Sequence, residues 1–479
     1  MNFLPLCFSA LFLVLAFPRA NIFPIAWFAL APFIIVIKDK KPLKAFLLGW
    51  LYGFLFYCGL LYWILIFGII PWIALALFEG FYLALIALFF SILKQRNWQG
   101  ALIFASIWTA FDYARSLGKF GFTWGSLAQS QYLDIPLLGL SKIGGMFFLT
   151  FVLAFQNALL ALTPLKKGFK YVLISLILAH IFGYGLNILY YPKGKNIKIS
   201  VTQAGIGERV THQAGIWSSP STEELIRAYD PLLKGLQKQD LIVFSETAFP
   251  VSIPDVHYVR EWVENLAREK KSYVLIGSPI EEGGKIYNSA LLFSPEGKII
   301  DRYDKVQLVP FGEFVPWRKR LPWLKKLGVR DFDFSKGKGW YPMLCGGFSI
   351  GTMICFESIF PKIARCLALK GADVFVVITN DSWFGKTWAA EQHLAFSSLR
   401  ACEEGRYLLR ATTTGVSAII APDGKILKRA GLFVPAILTG EVGKGKNTPY
   451  TYLGDNIVFF LFLPMLMAIL SYRKRRKQC

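Results

Sequence analysis

Residues 69–93, IIPWIALALFEGFYLALIALFFSIL, carry a single charge, Glu79. A stretch that long and apolar suits the hydrocarbon core of a bilayer, which takes about 20 such residues per helix. A helix satisfies its own backbone N–H and C=O groups there, where no water can. Seven more apolar segments follow the same rule: Phe3–Phe17, Ile22–Ile37, Ala45–Phe67, Gly100–Tyr113, Ile143–Leu165, Tyr171–Tyr190 and Ile457–Tyr472. The expectation is a multi-pass α-helical membrane bundle of about eight helices, seven of them within residues 1–190 and the eighth at 457–472. Composition agrees, with 54% hydrophobic and 18% charged residues, against about 25% charged in globular chains. The first segment lacks a basic lead and another apolar segment follows it closely, so it reads as a retained helix.

Basic residues mark the orientation. Lys38, Lys40, Lys41 and Lys44 follow the second segment, Lys94 and Arg96 the fourth, Lys166, Lys167 and Lys170 the sixth, and Arg473, Lys474, Arg475, Arg476 and Lys477 the eighth. Lys and Arg concentrate in cytoplasmic loops. Both termini, including the basic tail 473–479, are therefore expected in the cytoplasm, and the long stretch after the seventh helix on the far side. This placement accounts for much of the net charge of +22. No nucleic-acid partner is expected, since zinc-finger spacing, an RRM signature and a long basic helix are all missing. The seven cysteines include no CxxC pair and the four histidines no HExxH, so no metal and no cofactor is expected. Pairing of Cys345, Cys366 or Cys402 stays open. Glu79 is either a functional intramembrane carboxylate or a hydrogen-bonded structural one. The long loop RSLGKFGFTWGSLAQSQYLDIPLLGLSK is expected to pack against the extracytoplasmic domain.

Between Lys195 and about Pro449 the pattern becomes that of a globular domain, residues 195–450. IKISVTQAG, DLIVFSE, SYVLIGSP, KIYNSALLFSP, FSIGTMICF, ADVFVVIT, YLLRAT and GVSAIIAP read as strands, with amphipathic helices between several of them. Alternation of this kind means an α/β domain with buried sheets. Three polar residues stand at strand ends: Glu246 after DLIVFS, Lys305 after a hairpin, and Cys355 between a strand and a helix. The helix N-terminus favours the Cys355 thiolate. A lysine beside it can stabilise an oxyanion, and a carboxylate can act as general base. Taken singly, each has a plainer reading: a cap or salt bridge, a solvated lysine, a small buried hydrophobe.

Their order, with the motifs DKVQLVPFGEFVP, ICFES, TNDSWFG and RACEEGRYLLRATTTGVSA, resembles the nitrilase superfamily. That resemblance implies a four-layer αββα sandwich with a Glu-Lys-Cys triad: Glu246 as base, Lys305 as oxyanion stabiliser and Cys355 as nucleophile. It adds Glu313 beside the lysine, Glu357 and Phe356 in support, and Trp383 on a loop over the pocket. With its flanking helices the chain is similar to the membrane-bound apolipoprotein N-acyltransferase branch. That similarity implies a bacterial inner-membrane enzyme, monomeric, with a periplasmic catalytic domain, a phospholipid acyl donor, a cysteine thioester and diacylglyceryl-modified apolipoproteins as acceptors. The chain departs from the family at Phe356, where Tyr is usual, at Thr413, where Asn is usual, and through 203–217, where Ala204, Gly205 and Glu208 replace polar positions while Gln203 and Trp217 remain.

Downstream of the lysine, Phe311, Phe314, Trp317 and Trp323 interleave with Arg318, Lys319, Arg320, Lys325 and Lys326. Such a mixture suits a membrane interface with anionic headgroups and is expected to form a lipid-contacting arm. Two other readings stay open: a membrane-tethered amidase acting on small C–N substrates, and a non-catalytic membrane binding protein.

Overall fold

The computed structural model describes residues 3–93, 97–194, 196–207, 209–211, 216–320 and 332–477. The chain divides into two compact units. One comprises residues 1–190, 387–403 and 448–479, the other residues 191–386 and 404–447.

The first unit is a helical membrane bundle. Among the described residues, four helices are long and apolar enough to cross a bilayer: Pro42–Leu60, Ile69–Leu93, Ser141–Leu162 and Leu165–Leu189. Shorter apolar helices join them, and the departures from the expected spans have local causes. Segment 22–37 breaks into a 3₁₀ turn, Phe23–Trp27, and a helix, Ala31–Ile37, each opened by a proline, which supplies no N–H to a preceding turn. The last segment divides into Asn456–Leu461 and Leu463–Lys477, with Pro464 just after the break. Helix Ser141–Leu162 is interrupted at Gly144 and Gly145. Gly145 has φ +63°, and a Cβ there would lie 2.6 Å from the Tyr450 ring. Helices Pro42–Leu60 and Ile69–Leu93 approach so closely that a Cβ on Gly53 would meet Gly80 Cα at 2.6 Å, the small-residue contact that lets membrane helices pack backbone to backbone.

Glu79 is ion-paired inside the bundle, the arrangement its structural reading calls for. Arg115 Nε donates to it at 2.6 Å, and Arg115 Nη1 donates to Asp112 at 2.9 Å. Asp112 also accepts from Ser126 and Thr150. All three groups are buried, so removing Arg115 would leave two carboxylates in the bundle without their cation. Arg115 further donates to the Trp124 carbonyl, which ties the loop after this helix to the bundle.

Helix Ala389–Glu404 lies within the α/β stretch of the sequence, yet nearly all of it groups with the helical unit. Polar contacts explain this. Gln392 Oε1 accepts from the indole N–H groups of Trp63 at 3.1 Å and Trp124 at 2.8 Å. Its Nε2 donates to the Leu60 carbonyl, and Gln129 donates to the Gln392 carbonyl. The aromatic loop expected to face the catalytic domain therefore packs on this helix.

The second unit carries two six-stranded sheets. Its strands are β1 (Ile197–Gln203), the ribbon β2 (Arg209–Thr211) and β3 (Ile216–Ser218), β4 (Leu241–Val243), β5 (Tyr273–Glu282), β6 (Lys285–Phe293), β7 (Ile299–Asp304), β8 (Met343–Cys345), β9 (Phe348–Ile354), β10 (Val374–Thr379), β11 (Leu408–Thr412), β12 (Ala418–Ile420), β13 (Ile426–Arg429) and β14 (Ala436–Val442). The sheets run β14-β1-β4-β5-β6-β7 and β13-β12-β11-β10-β9-β8. Their inner faces share one core, with Val201, Val243 and Leu275 from the first and Ile350, Val376 and Leu409 from the second. The alternate residues Ile242, Phe244 and Ile276 pack instead under helices Thr222–Lys234 and His257–Lys270. Helix Pro361–Leu369 lies on the outer side of the second sheet, where a Cβ on Gly351 would meet Leu367 at 3.1 Å. This is the four-layer αββα sandwich. Burial on both faces is why the central strands read as unbroken apolar runs.

Candidate active site

Parallel pairing brings three chain segments to one edge of the second sheet. Ile354 pairs with Ile378, and Thr379 with Thr412, so Cys355, Asn380 and Thr413 emerge next to one another. On the first sheet, β4 ends at Val243 and Glu246 follows three residues later. Lys305 comes directly after β7. These are carboxyl ends of strands, where α/β proteins build sites.

Glu246, Lys305 and Glu313 form one polar cluster. Lys305 Nζ donates to Glu313 Oε1 at 2.8 Å and to Glu246 Oε1 at 3.3 Å. Asn288 Nδ2 donates to the same two oxygens, at 2.7 Å to Glu246 and 3.0 Å to Glu313. Glu246 Oε2 accepts the backbone N–H of Asn380 at 2.7 Å. Glu313 Oε2 accepts the N–H of Val309 at 2.8 Å, which closes the turn that carries it. Lys305 is buried, which disfavours its charge. The carboxylates of Glu246 and Glu313 overcome that cost and hold its pKa above the ordinary lysine range.

Cys355 has φ +53°, a left-handed conformation rare for a non-glycine residue and one that collects at functional turns. Burial pushes its thiol up, the Glu246 carboxylate adds to that, and Lys305 opposes it. Burial and Glu246 thus work against the thiolate that a helix N-terminus favours, and the helix after Cys355 is only a 3₁₀ turn, Cys355–Ile359.

Glu357 joins the cysteine turn to the lysine loop. Its carboxylate accepts from Tyr303 Oη at 2.9 Å and from the backbone N–H groups of Val306 at 2.8 Å, Gln307 at 3.1 Å and Ile354 at 2.9 Å. Phe356 is buried edge-on against Phe360, with ring centroids 5.2 Å apart. Trp383 is half-buried on the turn Asp381–Phe384. In the arm, Phe311 and Trp317 are exposed and Phe314 is half-buried. Trp323 lies outside the described residues, as do Glu208 and the side chain of Trp217.

One departure from the family pattern, Thr413, and one retained position, Gln203, now have local accounts. Thr413 Oγ1 donates to Asn380 Oδ1 at 2.7 Å and so steadies the residue whose N–H holds Glu246. Gln203 is a clamp: Nε2 donates to the carbonyls of Gly431 and Val434, and Oε1 accepts from Thr412 and Ser417. Residues not singled out in the sequence also matter. Asn288 interrupts an apolar strand. Asp381 pairs with buried Arg410 at 2.8 Å and accepts from Thr379 at 2.9 Å. None of the six described cysteines, Cys7, Cys58, Cys345, Cys355, Cys366 and Cys402, is in a disulfide.

The double sheet and its Glu-Lys-Cys edge define a carbon–nitrogen hydrolase type of domain, and residues 213–450 match the carbon-nitrogen hydrolase family. Residues 9–159 match the apolipoprotein N-acyltransferase N-terminal domain. An apolipoprotein N-acyltransferase of Geobacter metallireducens is 34% identical over 99% of this chain and 96% of its own. One from Pseudomonas putida is 31% identical over 91% of this chain and 90% of its own. The chain belongs to the apolipoprotein N-acyltransferase family. Among solved structures, an amidase of Nesterenkonia AN1 superposes with a TM-score of 0.40 at 20% identity, covering 57% of this chain and 99% of that one.

Proposed function

We propose that Cys355 carries an acyl chain from a phospholipid to the α-amino group of a diacylglyceryl-modified N-terminal cysteine. The observation that carries this reading is the buried cluster of Glu246, Lys305 and Glu313 beside a thiol on a strained turn, in a chain whose full-length relatives bear that name.

Glu246 takes the thiol proton as sulfur attacks the ester carbonyl. Two of the three Lys305 N–H donors engage Glu246 and Glu313, and the third is available to the oxyanion. The carbon–oxygen bond breaks, the proton on Glu246 passes to the departing oxygen, and a lysophospholipid leaves a thioester on Cys355. The acceptor amine then attacks, Glu246 receives its proton, and the carbon–sulfur bond breaks to regenerate the thiol. Exposed Phe311 and Trp317 place apolar rings beside basic residues, which suits contact with a bilayer. The alternation of basic clusters supports cytoplasmic termini and a periplasmic catalytic unit in a bacterial inner membrane.

The test uses the full chain in detergent with a phospholipid labelled in its sn-1 chain and no acceptor. Label should remain on wild type, be released by neutral hydroxylamine, and be absent from Cys355→Ala. Label on neither protein would refute the lipid donor. Replacing Trp317 by Ser should slow loading from vesicles, and an unchanged rate would rule out the arm's lipid contact.

A further inference from the structure

Asn288, on β6, holds two carboxylates with one nitrogen. Its Nδ2 and Lys305 Nζ donate to the same pair of oxygens, Glu246 Oε1 and Glu313 Oε1. The Asn288 carbonyl accepts the Lys305 backbone N–H at 2.8 Å, so the two donors stand side by side in a closed ring of two donors and two acceptors. At the other end of the amide, Oδ1 is buried and has no hydrogen-bond partner among the described residues. Flipping the amide would not help, because its oxygen would then face two carboxylate oxygens. A buried carbonyl without a protein partner works against stability, so stability alone is a poor reason for an amide at this place.

Charge supplies a better one. Two carboxylates and one ammonium leave the cluster a negative charge in excess, and carboxylates sharing a site tend to retain a proton. A neutral residue with two N–H donors favours the ionised form of both without adding charge. Aspartate would add a third negative group, and an aliphatic residue would add no donor.

We propose that Asn288 is a positioning residue that, with Lys305, occupies Glu246 Oε1 and favours the charged form of the base, so that Oε2, which carries the single N–H of Asn380, is the oxygen that takes the Cys355 proton. This rests on Glu246 being the base in the acyl-transfer reading. In the step, the S–H bond breaks, an O–H bond forms at Oε2 and the electron pair stays on sulfur. The negative charge moves from Glu246 to sulfur, so the cluster and the thiol together keep the same net charge.

The experiment compares full-length wild type, Asn288→Asp and Asn288→Ala in detergent, all checked for a monodisperse gel-filtration peak. Thioester formation from labelled phospholipid is followed from pH 5.5 to 9. The acid limb should move up by about one pH unit in both variants, roughly a tenfold loss near pH 6 that shrinks toward pH 9. A loss of equal size at every pH would mean a merely structural role and overturn the proposal. If Asn288→Asp does not fold, Asn288→Ala decides alone. A parallel readout needs no lipid: alkylation by iodoacetamide against pH, with Cys355→Ala as background. The titration of Cys355 should move by roughly tenfold in proton concentration in Asn288→Asp. No movement there overturns the role of Asn288 whatever the lipid assay gives. Movement without any thioester in wild type would keep that role and reject the lipid donor instead.

Discussion

At the residue scale, the site is a cluster of coupled charges, and Glu357 is its mechanical link. Four donors from two chain segments converge on one carboxylate. Glu357→Ala would strand them, and each buried donor left unpaired costs about 1–3 kcal/mol. We expect a fall of at least ~3 kcal/mol in stability and loss of thioester formation, read by thermal unfolding in detergent and by the labelling assay. Glu357→Gln should fall in between, because one amide oxygen replaces two acceptors. The pH dependence has a definite sign. Cys355 and Lys305 both titrate above their ordinary values. The folded protein therefore keeps protons that the unfolded chain loses. Their contributions are complete below about pH 8.5 for the thiol and about pH 10.4 for the lysine, and decline as pH rises beyond those values. The unfolding midpoint should drop between about pH 8.5 and 11, less steeply in Cys355→Ala. A flat midpoint across that range would show that neither group is perturbed. Glu246, Lys305 and Cys355 were legible in the sequence because each stands at a strand end, and Glu313 and Glu357 through the motifs that carry the resemblance to the nitrilase superfamily. Asn288 and Asp381 were not. Both act through partners distant in the chain, and nothing local to YNSALLFSP announces that its amide will meet residues 246 and 313.

At the scale of elements, strand periodicity located the central strands. It missed β14, whose exposed residues alternate weakly and which is held by antiparallel pairing to β1. It also read helix Ala389–Glu404 as part of the globular insert, since nothing in its own sequence tells which unit its buried Gln392 will bind. That helix makes a direct prediction. Gln392→Leu removes the acceptor shared by the buried indoles of Trp63 and Trp124. A loss of about 2–4 kcal/mol should follow, measurable as a lower unfolding midpoint. Helix Ala389–Glu404 should also become more open to proteolysis. Gly277 is the matching constraint in the sheet. A Cβ there would stand 2.6 Å from Glu246 Cα and the Thr247 nitrogen. Gly277→Ala must move the segment that carries the carboxylate, and about 1 Å of misplacement can cost on the order of 10²-fold in rate. A labelling rate within twofold of wild type would mean that the segment yields without disturbing the site.

At the scale of the whole molecule, the apolar segments and the α/β stretch were plain in the sequence because bilayer thickness and sheet burial impose lengths and patterns that composition cannot hide. Helix ends were less plain: prolines and glycines at 24, 32, 144, 145 and 464 divide segments that hydropathy reads as continuous. Orientation depends on a different property, the alternation of Lys and Arg clusters along the chain. Its prediction concerns where each end lies. Green fluorescent protein fused after residue 479 should fluoresce, since it matures in the cytoplasm, and alkaline phosphatase at the same point should be inactive. Phosphatase inserted at the exposed turn Gly283–Gly284 should be active. Removing Arg473, Lys474, Arg475, Arg476 and Lys477 together should weaken the first result, because those charges are the ones that retain the tail. The reverse pattern at both sites would invert the molecule.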